Sequence, residues 1–325
     1  MTIPNVLTIA GSDPSGGAGI QADLKTMSAL GVYAMSVVTA LTAQNTRGVT
    51  AVHLPPADFV RAQLDAVFDD VRVDAVKIGM IANAEIASTV AEALEHLAPR
   101  HVVLDPVMVA KGGDRLLEPE AVEVVRTRLL PLATVITPNL PEADVLLGAM
   151  PDLGHAPAAR DVNHVMRPGM RQPLVERLTA MAARLRGLGA KAVYLKGGQR
   201  LATDARGGGL DPNAAIEDCD SALPPPAIDF FDDGVSQLVL RSPLHRTRAL
   251  HGTGCTLSSA LAALLAREVP LAEAAEMAKL WVADAIVGGA LLTVGSGGGF
   301  GPVHHFHALW MHADDQARTR LTPRS

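Results

Sequence analysis

The chain is poor in the residues that would tie it to an extracellular, membrane or nucleic-acid setting. Only two cysteines, Cys219 and Cys255, occur among 325 residues. They cannot build a disulfide framework, and neither belongs to a CxxC zinc pattern, so a reducing compartment is expected. There is no basic excess: 28 Lys and Arg stand against 34 Asp and Glu, a formal net charge of −6. Global attraction to nucleic acid or an anionic bilayer is thereby excluded, while a local positive pocket remains open. No basic region precedes the short apolar stretch in Met1–Ala10, and no signal peptide is expected. The uncharged segment Thr26–Thr46 is interrupted by Gly31, Ser28, Ser36, Thr39, Thr42, Gln44 and Asn45. It reads as a helix end and a buried strand, not a membrane span. A cytoplasmic protein with no membrane and no nucleic-acid partner is the expectation.

Two nucleotide-binding signatures are also missing. No Gly-Lys dipeptide occurs, so the P-loop pattern cannot be written on this chain. Gly17-Ala18-Gly19-Ile20-Gln21-Ala22 matches the G-x-G-x-x-A form of a dinucleotide fingerprint, which needs an acid roughly 20 residues on. After Asp23 the next acid is Asp58. The run Gly11–Gly19 reads instead as a glycine loop that lets a small ligand approach the backbone.

What is present is a core-forming composition, 48% hydrophobic and 19% charged, at a length near the upper limit for one core. Strands are expected at Asn5–Ala10, Tyr33–Leu41, Asp74–Ile78, His101–Leu104, Thr134–Ile136 and Lys191–Leu195. Helical patterns lie at about Gly17–Leu30, Pro56–Asp70, Ala84–Leu97, Pro119–Leu130, Leu174–Leu188 and Thr256–Ala266. This order implies a mostly parallel sheet with helices on both faces. Ala227–Phe231 and Val235–Leu240 read as a hairpin around Asp232-Asp233-Gly234. Two stretches without period, 150–172 and 200–226, read as surface loop elaborations, and a polar tail begins at about Ala313. One domain over 1–312 with a tail over 313–325 is expected.

In such sheets ligands bind at the carboxyl ends of the strands. Six polar groups fall there: Gly11-Ser12-Asp13, Gln44-Asn45, Gly79-Met80, Asp105-Pro106, Thr137-Pro138-Asn139 and Lys196-Gly197-Gly198. His251-Gly252-Thr253-Gly254-Cys255 opens an apolar helix. Its glycines let backbone N–H groups converge at a positive helix end, a construction that holds an anion. Cys255 has two readings, a thiol whose pKa the helix field lowers toward the thiolate or a small buried hydrophobe. Glu142 either complements a helix dipole or joins Asp105 in holding Mg²⁺ through water. Asp105 reads otherwise as an Asp-Pro turn, and Lys196 as a solvated turn lysine or a phosphate contact. His304-His305-Phe306-His307 has no acid or Cys at ligand spacing and is expected to serve packing or a partner contact.

These motifs, with Thr8–Lys25, Ser36–Thr46, Lys77–Met80, Asp105–Met108, Thr137–Glu142 and Gly301–His307, closely resemble the hydroxymethylpyrimidine/phosphomethylpyrimidine kinases of thiamine biosynthesis, in the ribokinase-like superfamily. The resemblance covers about residues 3 to 310 and implies a three-layer α/β/α fold with a mostly parallel sheet. It implies two successive ATP-dependent phosphorylations, of 4-amino-5-hydroxymethyl-2-methylpyrimidine and then of its monophosphate. Carried over by position, Gln44 binds the aminopyrimidine edge, Gly11, Met80 and Val107 line the ring pocket, and Asp23 lies near the substrate hydroxyl. Asp105 and Glu142 organise Mg²⁺, and Lys196 and Asn139 contact ATP. Cys255 takes the alcohol proton as thiolate, while the amides of Gly252, Thr253, Gly254 and Cys255 meet the charge on the moving phosphoryl group. Ribokinase relatives usually carry an Asp base at that cysteine. A homodimer is a family-level expectation. A pyridoxal kinase of the same fold, and a pyrimidine-binding sensor without turnover, are the alternatives.

Overall fold

The computed structural model describes residues 3–108, 117–148, 171–197 and 226–310. The loop elaborations at 150–172 and 200–226 lie outside them except for their last residues, and so do the polar tail and Cys219. The first half of the described chain alternates strongly. β1 (Asn5–Ser12) leads to α1 (Gly19–Ala29), then β2 (Tyr33–Asn45) and β3 (Gly48–His53), α2 (Ala57–Phe68), β4 (Ala75–Ile78), α3 (Ala84–Leu97) and β5 (Val102–Leu104). Two short helices, α4 (Pro119–Val124) and α5 (Leu130–Leu132), are joined by a π turn, Val125–Leu129. After them come β6 (Val135–Ile136), α6 (Leu140–Leu146), α7 (Arg171–Gly187) and β7 (Val193–Gly197). The hairpin β8 (Pro226–Asp232) and β9 (Gln237–Pro243) forms as expected, followed by β10 (Ala249–His251), α8 (Thr253–Ala266), α9 (Leu271–Gly289) and β11 (Gly301–Pro302).

Nine strands form one sheet in the order β3-β2-β1-β4-β5-β6-β7-β8-β9. The six from β2 to β7 are mutually parallel, while β3 at one edge and β8 at the other run against them, and β9 beyond β8 reverses again to the common direction. Because side chains alternate along a strand, each strand feeds two cores. Leu7, Ile9, Val76, Ile78, Val102 and Leu104 pack beneath α2, α3, α6 and α7. Val6, Ala75, Val103, Val135 and Tyr194 pack beneath α1, α8 and α9 on the other face. The three-layer architecture expected from the sequence is therefore observed. Helix α8 is enclosed between the sheet and α9, which is why every residue from Thr256 to Ala266 is buried and its sequence is apolar nearly all round.

Three local differences have physical causes. Strand β2 runs on to Asn45 and turns back as β3, an element without an expected counterpart because most of its side chains are exposed and carry no burial pattern. Helix α9 went unmarked because small alanines set its buried face instead of large apolar residues. Helix α8 starts at Thr253, ahead of the expected Thr256, so Cys255 lies within its first turn. Among the described residues, no helix is long and apolar enough to cross a membrane.

Candidate active site

On the face shared by α1 and α8, the strands change character at their carboxyl ends. Thr8 of β1 and Lys77 of β4 are direct register partners. Asp105 follows β5, and Lys196 lies near the end of β7. Above this polar layer is a cavity of about 400 Å³ lined by Gly11, Gln44, Met80, Val107, Asp105, Asn139, Glu142, Lys196 and the run Gly252–Cys255, together with Asp13, Thr42 and His251. Twelve of the thirteen expected site residues thus converge; Asp23 does not.

Two glycine loops meet at the mouth. Gly252 has φ +83°, and a Cβ there would overlap the Gly17 carbonyl. The loops are tied by His251, whose Nε2 lies 2.7 Å from Asp13 Oδ2. Asp13 also accepts from the amides of Ser15 and Ala18 at 2.9 and 2.8 Å. Burial pushes the Asp13 carboxyl up, but the His251 and Ser15 hydrogen bonds and the His251 charge overcome it and hold the pKa at about 2. Gln44 stands beside this pair, 3.4 Å from the same histidine nitrogen. Met80 covers Gly11 closely enough that a Cβ on Gly11 would come 2.8 Å from the methionine methyl.

At the far end, Lys196 Nζ lies 2.7 Å from Asp105 Oδ1 and 3.8 Å from Glu142 Oε2. A Cβ on Gly254 would be 3.4 Å from the same ammonium, so the lysine sits against the glycine turn that opens α8. Thr137 and Ser258 donate to the two oxygens of Asp105. Asn139 and Glu142 form a reciprocal cap on α6, each side chain accepting from the other's amide at 2.8 Å. The capping reading of Glu142 is therefore realised, with its carboxyl still at the cavity wall. Burial pushes Glu142 up to about 7, with Lys196 pulling it down and the Asp105 charge pushing it further up.

Two expectations need correction. The Cys255 thiol is not biased toward the thiolate: burial raises its pKa to about 11, and Asp23 and Asp105 add to that against the opposing pull of Lys77 and the Gly19 amide. A helix field is worth too little to outweigh burial beside two carboxylates. Asp23 is fully buried behind the cavity, accepting from Thr8 and Lys77 through Oδ2 at 2.6 and 2.7 Å and from Ser259 through Oδ1 at 2.7 Å. It does not line the cavity.

A second, mostly apolar cavity of about 210 Å³ shares Lys196, Leu250 and Thr253 with the first. Sequence reasoning missed it. Its polar floor is Asp229, which accepts from Lys279 Nζ at 2.7 Å, Tyr194 OH at 3.1 Å and the Gly197 amide at 2.9 Å. The available signal was Asp229 among Ile228, Phe230 and Phe231, an acid in an apolar strand. The histidine run packs as expected: His304 meets Trp310 edge-on, and His307 lies 4.4 Å from Trp281 between ring centres. Among the described residues, no cluster of three or more His, Cys, Asp or Glu could hold a metal ion.

The phosphomethylpyrimidine kinase family model matches residues 13–304. The chain belongs to the phosphomethylpyrimidine kinase family. A hydroxymethylpyrimidine/phosphomethylpyrimidine kinase of Salmonella typhimurium is 47% identical over 306 residues, covering 94% of this chain and 98% of that protein. Among solved structures, the kinase is similar to a Clostridium difficile phosphomethylpyrimidine kinase at TM-score 0.65 and 38% identity, over 88% of this chain and all of that one (100%). It is also similar to Bacillus subtilis pyridoxal kinase in an ADP complex, at TM-score 0.73 and 33% identity, over 94% and 99% of the two chains. The ribokinase-like fold and an ATP-dependent phosphotransferase activity follow for this kinase.

Proposed function

We propose that the protein transfers the γ-phosphoryl group of ATP to the hydroxyl of 4-amino-5-hydroxymethyl-2-methylpyrimidine, and then phosphorylates the monophosphate to the diphosphate. The observation that carries this reading is one cavity lined by Gln44 together with Cys255, Lys196 and the Gly252–Gly254 turn. A side-chain amide can donate to a ring nitrogen and accept from an exocyclic amine. Met80, Val107 and Gly11 supply the flat apolar walls a heteroaromatic ring needs. The second cavity, across Lys196, takes the nucleotide base, which directs the triphosphate along Lys196 to the first turn of α8. The expected ATP contact of Asn139 is confined to its side-chain amide nitrogen, since its oxygen caps α6.

In the first reaction the alcohol oxygen bonds to the γ-phosphorus as the bond to the ADP oxygen breaks. Cys255 is the group placed to take the alcohol proton, and doing so requires the thiolate that burial disfavours in the free protein. The amides of the glycine turn and the Lys196 ammonium meet the charge on the moving group, and one donor so aimed is worth about 3 kcal/mol. Asp105 and Glu142 fit Mg²⁺ held through water: two carboxylates share one lysine, and burial, with the Asp105 charge adding to it, raises Glu142 to about 7. Mg²⁺ brought with the triphosphate would offset those carboxylates and the phosphate charge. A homodimer in a cytoplasmic setting completes the reading, and sedimentation tests the assembly.

The likeness to pyridoxal kinases favours a second reading, in which pyridoxal shares the ring pocket. Phosphorus NMR of the protein with Mg-ATP and the hydroxymethylpyrimidine separates the readings. Monophosphate followed by diphosphate supports the proposal. Monophosphate alone removes the second step, and turnover of pyridoxal only overturns the substrate assignment. Binding of the pyrimidine without ATP consumption would make the protein a sensor.

A further inference from the structure

Lys77 is fully buried and forms an ion pair with fully buried Asp23 at 2.7 Å. Alternation along β4 places Lys77 on the same face as Ala75, where neighbouring strands contribute Val6, Val103 and Val135. An apolar residue would serve the fold there. A buried ion pair contributes little net stability compared with apolar side chains of similar volume, so packing does not account for a lysine. The pair is joined to the site by Ser259, whose hydroxyl donates to Asp23 Oδ1 at 2.7 Å. Ser259 lies one turn beyond Cys255 on α8, and residues four apart share a helix face. The neighbouring Ser258 makes the corresponding link to Asp105, itself paired with Lys196. The helix that carries Cys255 thus rests on two parallel serine–aspartate–lysine chains. Lys196 of one chain lines the cavity, while Lys77 of the other is sealed beneath it.

We propose that Lys77 is a positioning residue for the kinase reaction: a fixed positive charge beneath Cys255 that stabilises the thiolate form the reaction requires. The inference rests on the reading of Cys255 as proton acceptor. The charges facing Cys255 are Asp23 on α1, Lys77 on β4, Asp105 after β5 and Lys196 on β7. Lys77 is the first of them in lowering the thiol, and the two carboxylates oppose it. In the proposed reading Lys196 would partner nucleotide phosphates, and Asp105 would help hold Mg²⁺ through water. Lys77 alone keeps its place and its charge throughout, because nothing from solvent reaches it.

The test is the pH dependence of iodoacetamide alkylation at Cys255, followed by mass spectrometry of its peptide in metal-free buffer containing EDTA. Lys77→Gln retains a hydrogen bond to Asp23 and removes the charge. Its alkylation midpoint should rise by about one pH unit or more, with roughly tenfold slower alkylation at any pH below the midpoint. Ser259→Ala keeps every charge and should leave the midpoint in place. An unchanged midpoint in folded Lys77→Gln overturns the proposal, as does an equal rise in Ser259→Ala. If Lys77→Gln does not fold, Asp23→Asn leaves the Lys77 charge unopposed. Its midpoint should then fall, and an unchanged or higher midpoint again overturns the proposal. Undiminished turnover in Cys255→Ala would instead defeat the proton-acceptor reading, independently of what alkylation shows.

Discussion

His251 Nε2 and Asp13 Oδ2, 238 residues apart in sequence, lie 2.7 Å apart and clamp the glycine loop after β1 to the turn that opens α8. Because Asp13 is held at about 2 against a usual 3.8, its partners together, His251 with Ser15 and Ala18, stabilise the charged form by about 2 kcal/mol net of burial. That contribution is complete above the unfolded value of 3.8 and is lost as pH falls through about 2. Asp13→Asn should therefore lower thermal stability by a constant amount above pH of about 4, the gap to the parent closing toward pH of about 2. A gap that persists at the acid end would contradict the ion-pair account. Loosening the loops should also raise KM for the pyrimidine by about tenfold.

Glu142 offers a pH signature in the opposite direction. Its pKa is raised from 4.5 to about 7, so its protonated form favours folding below 4.5, and that contribution is lost as pH rises through about 7. Ionisation, however, is what lets it attract a cation. Turnover at limiting Mg²⁺ should rise through pH of about 7 in the parent and lose that limb in Glu142→Gln. The variant should need about tenfold more Mg²⁺ for half-maximal rate. Identical Mg²⁺ titrations in the two proteins would remove Glu142 from the metal's surroundings.

Asp229 and Lys279 form the polar floor of the second cavity, 2.7 Å apart. Asp229→Ala leaves a buried ammonium without this partner and should cost about 3–5 kcal/mol of stability. Asp229→Asn with Lys279→Met removes both charges and should stay folded. Its KM for ATP should rise by about tenfold while binding of the pyrimidine, measured by calorimetry, is unchanged. A shift in pyrimidine affinity of equal size would mean that the two cavities do not divide the substrates.

How much of this was legible in the sequence depended on whether one strand or one turn carried the signal. The strand ends at Asp105 and Lys196 and the turn at Gly252–Cys255 each break a local apolar pattern, and all of them line the cavity. The clamp between Asp13 and His251 was not legible, because nothing near either residue names a partner so distant in sequence. Asp23 was misplaced for a related reason. Helix periodicity does not say whether an acid points into the cavity or beneath it, and only the partner Lys77 on β4 decides that. Exposed β3 left no hydrophobic signal, and the second cavity draws on β8, β9 and α9, elements whose meeting depends on the whole sheet order.

The two proposed reactions place different demands on Cys255. The first nucleophile is an alcohol, whose proton must leave as the new bond to phosphorus forms. The second is a phosphate monoester oxygen, and a monoester with a second pKa of about 6 is largely dianionic at neutral pH. No proton then has to be removed. The glycine-turn amides and Lys196, by contrast, face the charge of a moving phosphoryl group in both reactions. Cys255→Ala should accordingly slow the first phosphorylation by about 10²–10⁴-fold, the range of a lost general base. The second, assayed separately with synthetic monophosphate, should slow by no more than about tenfold. Lys196→Ala should slow both steps by about a hundredfold or more. Equal losses of both steps in Cys255→Ala would show that the thiol acts by packing the turn. A loss confined to the alcohol identifies it as the group that takes the proton.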